Sequence, residues 1–190
     1  MRSEQGGEAR AHQQILVAKR AAALALWGET GLARIAAKLP EETRRETIDA
    51  PIIAETWIPE RWILDWHEAV FRGPAKGDEA ALRRFAAEVV QQGFGRVRRV
   101  LVKLATPATM ASRAAELWRD EHTHGELIAR VDKHTAELTL RDHPYVAAPY
   151  AGVVMAESMR HAGSLSARAA DVTAQHRRDG DGLVISLAWR

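Results

Sequence analysis

Histidine is the residue type through which this chain could do most of its chemistry, and its eight imidazoles are unevenly placed. His122 and His124 stand two apart, where a helical pattern gives way to a strand-like one. An imidazole there is a natural axial ligand for haem iron, or a ligand for zinc. The neighbouring Arg119, Asp120, Glu121 and Thr123 fit better with a solvated helix end, where histidine suits the negative end of the helix dipole. His67 follows Trp66 at the border of an apolar stripe, the place of a cavity-lining or an ordinary boundary histidine. Glu157, Ser158 and His161 share one helical face through spacings of three and four. That geometry permits proton transfer or an activated serine, and it also makes a local ion pair. No Gly-x-Ser-x-Gly elbow surrounds Ser158, and no third residue is assignable to orient His161.

Other chemistry is thinner. Gly93-Phe94-Gly95-Arg96 has the start of a phosphate loop but lacks a third glycine and a preceding strand, so helix punctuation explains it better. Arg96, Arg99 and Lys103 make a basic stripe able to hold a phosphate or an acidic partner. Without interleaved exposed aromatics or a nucleic-acid motif, it reads as a solvated face. His-Glu-x-x-His is absent, and there is no cysteine, which excludes disulfides, thiolate metal sites and thiol redox switching.

Composition sets the frame for these residues. At 190 residues the chain is long enough to bury a substantial core as one domain. Its 46% hydrophobic and 27% charged residues are ordinary for a globular protein. The net charge is only +2, so the pI near 9.2 reflects arginines titrating against almost as many carboxylates and implies no polyanion partner. No run approaches the ~18 apolar residues of a membrane span, and the acidic start with Glu4 and Glu8 is unlike a secretory signal. The expectation is a cytoplasmic protein.

The elements that must position the histidines are legible from period and punctuation. A helical pattern over 15–27 stops at Gly28, and a shorter one over 30–39 is closed by Pro40. Pro40-Glu41-Glu42 opens another helix. Residues 58–71 form the clearest amphipathic helix, with Ile58, Trp62, Trp66 and Ala69 or Val70 in one stripe. Asp78 caps the next helix, residues 97–104 form a further one, and Thr106-Pro107 starts the last of about six. The period then changes to two. Residues 125–141 alternate, 145–163 return to helix, and 166–189 alternate around a turn at 177–182 that contains Asp179-Gly180.

Scattered motifs carry a resemblance. Trp27-Gly28, Leu39-Pro40-Glu41, Trp57-Ile58-Pro59, Gly93, Thr106-Pro107, Leu117-Trp118-Arg119, His161-Ala162-Gly163 and Leu187-Ala188-Trp189 resemble those of a paralogous family abundant in myxobacteria, from about Ile15 to the end. That family is distantly similar to 4-vinyl-reductase-type domains, in a fold group shared with haem–nitric-oxide-binding domains and small subunits of the TRAPP vesicle-tethering complex. The resemblance implies helices packed on a twisted antiparallel sheet, with an apolar cavity between them in some members and self-association in some branches. Two departures stand out. The last hairpin lacks the cysteines of the 4-vinyl-reductase-type domains, and the Tyr-x-Ser-x-Arg pattern that holds haem propionates is absent.

The resulting expectation is an α+β fold: an N-terminal helical layer on a four-stranded antiparallel sheet made by hairpin–helix–hairpin. Residues 1–12 are expected as a flexible tail and 13–190 as a single domain. With no convergent catalytic set, the expected role is a non-catalytic sensor or adaptor that binds a hydrophobic small molecule or a partner protein. Trp62, Trp66, Phe94, Tyr145, Tyr150 and Met155 are the pocket candidates. The alternatives are a structural, homodimerising module, and a haem-dependent gas sensor with His122 or His124 on the iron. The residues themselves require no cofactor and no metal, and no nucleic-acid partner is expected.

Overall fold

The computed structural model describes residues 7–53, 56–93, 105–166 and 171–190. A short strand β1, Arg10–His12, leads into the long helix α1, Gln14–Ala36. Gly28 interrupts α1 with φ +61°, a left-handed conformation that glycine adopts without a Cβ penalty. The two helices expected on either side of Gly28 meet there at a kink, where the backbone leaves helical geometry. After Pro40 come α2, Glu41–Arg44, and a π-helical turn, Arg45–Asp49.

Strand β2, Trp57–Pro59, pairs antiparallel with β1 and runs into α3, Glu60–Arg72. The helix begins two residues later than its apolar pattern because Pro59 holds Ile58 in the extended region. Helix α4, Glu79–Gly93, is entered through Asp78, whose Oδ1 accepts from the Ala80 amide at 2.9 Å. Helix α5, Pro107–Glu121, is capped by Thr106, whose Oγ1 accepts from the Thr109 amide at 3.1 Å. The helix predicted over 97–104 lies outside the described residues.

The second half contains β3, Glu126–Val131, and β4, Thr135–Arg141, followed by a 3-10 turn, Pro144–Val146. Helix α6, Ala151–Ser164, then leads to β5, Thr173–Asp179, and β6, Gly182–Ala188. The helix expected from Tyr145 starts only at Ala151, because Pro149 lacks a donor and restricts the residue before it. The final turn is tighter than expected. Both strands run up to it, Asp179 pairs with Gly182, and Gly180 sits at φ +60°.

The four strands form one antiparallel sheet in the order β3-β4-β6-β5, as hairpin–helix–hairpin predicts. Registers Leu127↔Leu140, Leu138↔Ile185 and Leu140↔Leu183 stack the inward side chains on one face. Helix α6 lies against α4 on one side and β5 and β6 on the other, and α5 covers β3. One contiguous hydrophobic cluster joins both halves, from Leu16 and Ile63 to Ile185 and Trp189. The fold class is thus α+β, a helical layer on the sheet.

Part of the stretch expected as a tail, 1–12, is ordered into the fold. Ala11 is fully buried, and Arg10–His12 are built into the small sheet. Leu138, fully buried at the middle of β4, tests the larger one. Leu138→Ala should lower unfolding free energy by about 2–5 kcal/mol, read as a shift of the chemical denaturation midpoint at unchanged slope.

Candidate functional site

The buried stripe of α3 is Ile63, Trp66, His67 and Val70, the three-and-four spacing of a helix face. The same period continued one turn back lands on Glu60, which is 1% exposed although it is a carboxylate. Charged side chains are almost never fully buried unless paired, and the partners here arrive from two distant segments.

His122 is the first residue past α5, with φ −136° and ψ 138°. Its backbone amide still donates to the Trp118 carbonyl at 2.9 Å, while its side chain leaves the helix direction. His143 follows β4 and a left-handed Asp142 with φ +52°. Both rings converge on one oxygen. His122 Nδ1 lies 3.0 Å from Glu60 Oε2, and His143 Nε2 lies 3.6 Å from the same atom. The former is a hydrogen bond and the latter is too long for one. The other His143 nitrogen, Nδ1, accepts from the Tyr145 amide at 3.2 Å, which places the proton of a neutral His143 on Nε2, towards the carboxylate.

Burial alone would push the Glu60 pKa up, but the nearby His122 and His143 imidazoles outweigh it and bring it down to about 2. Glu60 is therefore an ionised carboxylate in the interior. Burial lowers the His143 pKa despite that charge. Tyr145 is buried against the same group. Desolvation first, and the Glu60 charge second, hold its hydroxyl well above the ordinary 10, so it stays protonated. Trp118 closes the cluster, stacked on His122 at 3.8 Å between centroids and edge-on to His143 at 4.8 Å.

Strand β1 is the clasp. The Glu60 amide donates to the Ala9 carbonyl at 2.8 Å, Ala11 bridges His122, and the Thr123 amide donates to the Arg10 carbonyl at 2.9 Å. Strand β1 and the residue before it thus hold the start of α3 against the end of α5.

A second buried pair lies behind. Lys19 Nζ and His67 Nε2 are 2.6 Å apart, with Lys19 and His67 each 2% exposed. Burial pulls the Lys19 pKa down to about 7, with the Glu60 charge opposing, and burial followed by Lys19 holds His67 well below its ordinary value. Several buried atoms have no hydrogen-bond partner among the described residues, including Glu60 Oε1, His67 Nδ1, His124 Nε2 and His143 Nε2.

The predicted pocket residues sit differently. Trp66, Tyr145 and Met155 belong to the buried core, and Trp66 Nε1 donates to Thr47 Oγ1 at 2.9 Å. Trp62 and Tyr150 are only partly buried at its edge, and Tyr150 stacks on Phe71 at 4.4 Å. Phe94 lies outside the described residues, as does the basic stripe of Arg96, Arg99 and Lys103. A cleft of about 730 Å³ is lined by sheet residues such as Arg130, Thr135, Glu137, Gln175 and Ser186, and none of the pocket candidates borders it. Glu157 does not pair with His161. Its carboxylate takes Arg160 at 2.6 Å, and His161 Nε2 is buried without a partner among the described residues.

Of the two haem-ligand candidates, only His122 enters the cluster. Its Nδ1 is engaged by Glu60, and the rings of Trp118, His143 and Tyr145 surround it. His124 Nδ1 meets the Thr123 hydroxyl at 2.9 Å, and its Nε2 is enclosed by protein. The Nδ1 atoms of both histidines are thus taken by protein partners, and His124 Nε2 is enclosed. Sequence reasoning missed Glu60, His143 and Lys19. The available signal was periodicity: Glu60 extends the stripe of α3, and Lys19 lies between Leu16 and Ala23 on the buried face of α1.

No family model matches the chain, and no curated protein matches it in sequence. Solved structures do match. An H-NOX protein from S. oneidensis in the Fe(II)NO ligation state superposes with a TM-score of 0.67 at 9% identity, covering 94% of this chain and 98% of that one. An Fe(II) unliganded H-NOX protein from K. algicida gives 0.64 at 9%, with coverages of 94% and 96%. An oxygen-binding H-NOX domain related to soluble guanylate cyclases gives 0.61 at 11%, with 94% and 95%. This chain shares their fold. The haem–nitric-oxide-binding branch of the expected fold group is matched, whereas the likeness to a myxobacterial family rests on the quoted residues alone.

The buried charges predict the pH response of stability. The unfolded chain holds the Lys19 proton up to about 10.5 and the folded chain only to about 7, so stability from this group rises across that interval. Above pH 10 the raised Tyr145 acts in the opposite sense, because the unfolded phenol releases its proton first. Denaturation midpoints should therefore climb from pH 7 towards 10 and then fall. Lys19→Met should flatten the climb, and an unchanged slope in that variant would refute the assignment.

Proposed function

We propose that this chain is a non-catalytic sensor domain that uses the H-NOX scaffold and takes its input at the Glu60–His122–His143 junction rather than at a haem. The observation that supports this reading is the buried cluster itself, where ionisable groups with unpaired atoms meet at the boundary of helical layer and sheet. Such a place can accept a small polar ligand or an ion, and it is wired for a change of shape. Its three groups come from the start of α3, the end of α5 and the turn after β4, and β1 ties the first two together. The solved H-NOX neighbours, described in iron, nitric-oxide and oxygen-bound forms, support a sensing role by fold. The hydrophobic pocket expected from the tryptophans has less support, because Trp66, Tyr145 and Met155 are packed into the core.

A second reading is a homodimerising module. Val17 and Leu24, seven apart on α1, are 44% and 38% exposed. Among the described residues no helix is long and apolar enough to cross a membrane, which leaves a soluble cytoplasmic setting part of the proposal.

Native mass spectrometry of the chain purified from its source, with hydrogen exchange before and after bound material is removed, tests the two readings. A sensor should carry a small molecule or ion whose removal speeds exchange at 10–12 and 122–125. A bare dimer with unchanged exchange would replace the sensor by the scaffold. A haem absorption band in the same preparation would restore haem as the input.

A further inference from the structure

We propose that Glu60, His122 and His143 bind one divalent first-row transition metal, with zinc as the reference ion. This deepens the sensor reading and rests on it only for the consequence of binding, not for binding itself. Two imidazoles and one carboxylate are an established donor set for such ions. One potential ligand atom from each of the three residues lies within 4.8 Å of the others, and all three residues are buried. Ligands about 2.0–2.1 Å from a tetrahedral ion stand about 3.3 Å apart. The two pairs that include Glu60 measure 3.0 and 3.6 Å, on either side of that spacing. Only the two histidines need to draw together, by no more than about 1.5 Å.

The unpartnered atoms supply an independent argument. Glu60 Oε1 and His143 Nε2 are both buried with no hydrogen-bond partner among the described residues, although such groups are nearly always satisfied in native proteins. An ion among the three side chains would satisfy His143 Nε2 directly and draw on the carboxylate that carries Oε1. Three protein ligands also leave one coordination position open, the arrangement of sites that admit an exogenous molecule.

The His143 ring couples occupancy to shape. Without metal its Nδ1 accepts the Tyr145 amide at 3.2 Å and caps the 3-10 turn Pro144–Val146. A metal on Nε2 takes that lone pair, and the ring proton must then reside on Nδ1. Two donors would face one another, so the Tyr145 amide loses its acceptor and the cap opens. The lost bond lowers affinity, which suits a site that fills and empties.

The full-length chain is stripped with a chelator and titrated with Zn²⁺ by calorimetry and with Co²⁺ by visible absorption. The expected result is one ion per chain, Co²⁺ bands of a four- or five-coordinate N/O site, and faster exchange of the Tyr145 amide when loaded. Glu60→Gln and His143→Gln should each weaken Zn²⁺ at least about 10-fold, the lower range seen even for outer-shell changes. His134→Gln, on an exposed turn, should not. If Glu60→Gln fails to fold, the Co²⁺ spectrum of the unaltered chain and its response to His143→Gln decide. No uptake, or uptake indifferent to Glu60→Gln and His143→Gln, overturns the metal site while leaving another input open. Metal uptake with unchanged exchange at Tyr145, 10–12 and 122–125 keeps the site and removes the sensor reading.

Discussion

A carboxylate at 1% exposure stays ionised only where protein donors replace the water it has lost, and Glu60 sets that demand at the centre of this molecule. His122 meets it with a hydrogen bond from the close of a helix, and His143 faces the same oxygen at 3.6 Å from the close of a strand. Breaking a buried pair by removing one partner typically costs about 3–5 kcal/mol. The three residues therefore constrain one another, and the elements that carry them are held in one relative position.

The demand reaches outward. Because α3 presents Glu60 on the same face as Ile63 and Trp66, docking the apolar stripe necessarily buries the charge. Because His122 must turn back towards it, α5 ends where it does, and β1 fills the space between the two chain segments with main-chain hydrogen bonds. Gly125, at φ +82°, leaves room beside the His143 ring, since a Cβ there would come within 2.9 Å of the His143 Cβ. Trp118 fixes the opposite side through its stack on His122 and its indole bond to the His124 carbonyl at 3.1 Å.

Sharing a fold with H-NOX proteins does not carry their chemistry across. At 9–11% identity the superposition is a statement about helices and strands, and function depends on particular side chains. Here the interior holds a carboxylate, a lysine and several imidazoles. The histidines proposed from sequence as haem ligands are engaged by Glu60, Thr123 and the surrounding rings. The polarity of that place differs from that of an apolar pocket.

Local rules carried most of the architecture. Period two at Leu138 and Leu140, period 3.6 at Trp66 and Val70, the caps at Asp78 and Thr106, the break at Gly28 and the turn at Asp179-Gly180 are all properties of short stretches, so they were legible in the chain. The prolines at 59 and 149 shifted helix starts, and that effect too is local, though the apolar pattern obscured it. The site was not legible in this way. Glu60, His122 and His143 are separated by as many as 83 residues, and each alone reads as an ordinary polar residue beside a helix or strand end. Only tertiary packing brings them onto one oxygen, because which charge is buried against which imidazole depends on how helices and sheet dock, and no periodicity within an element encodes that.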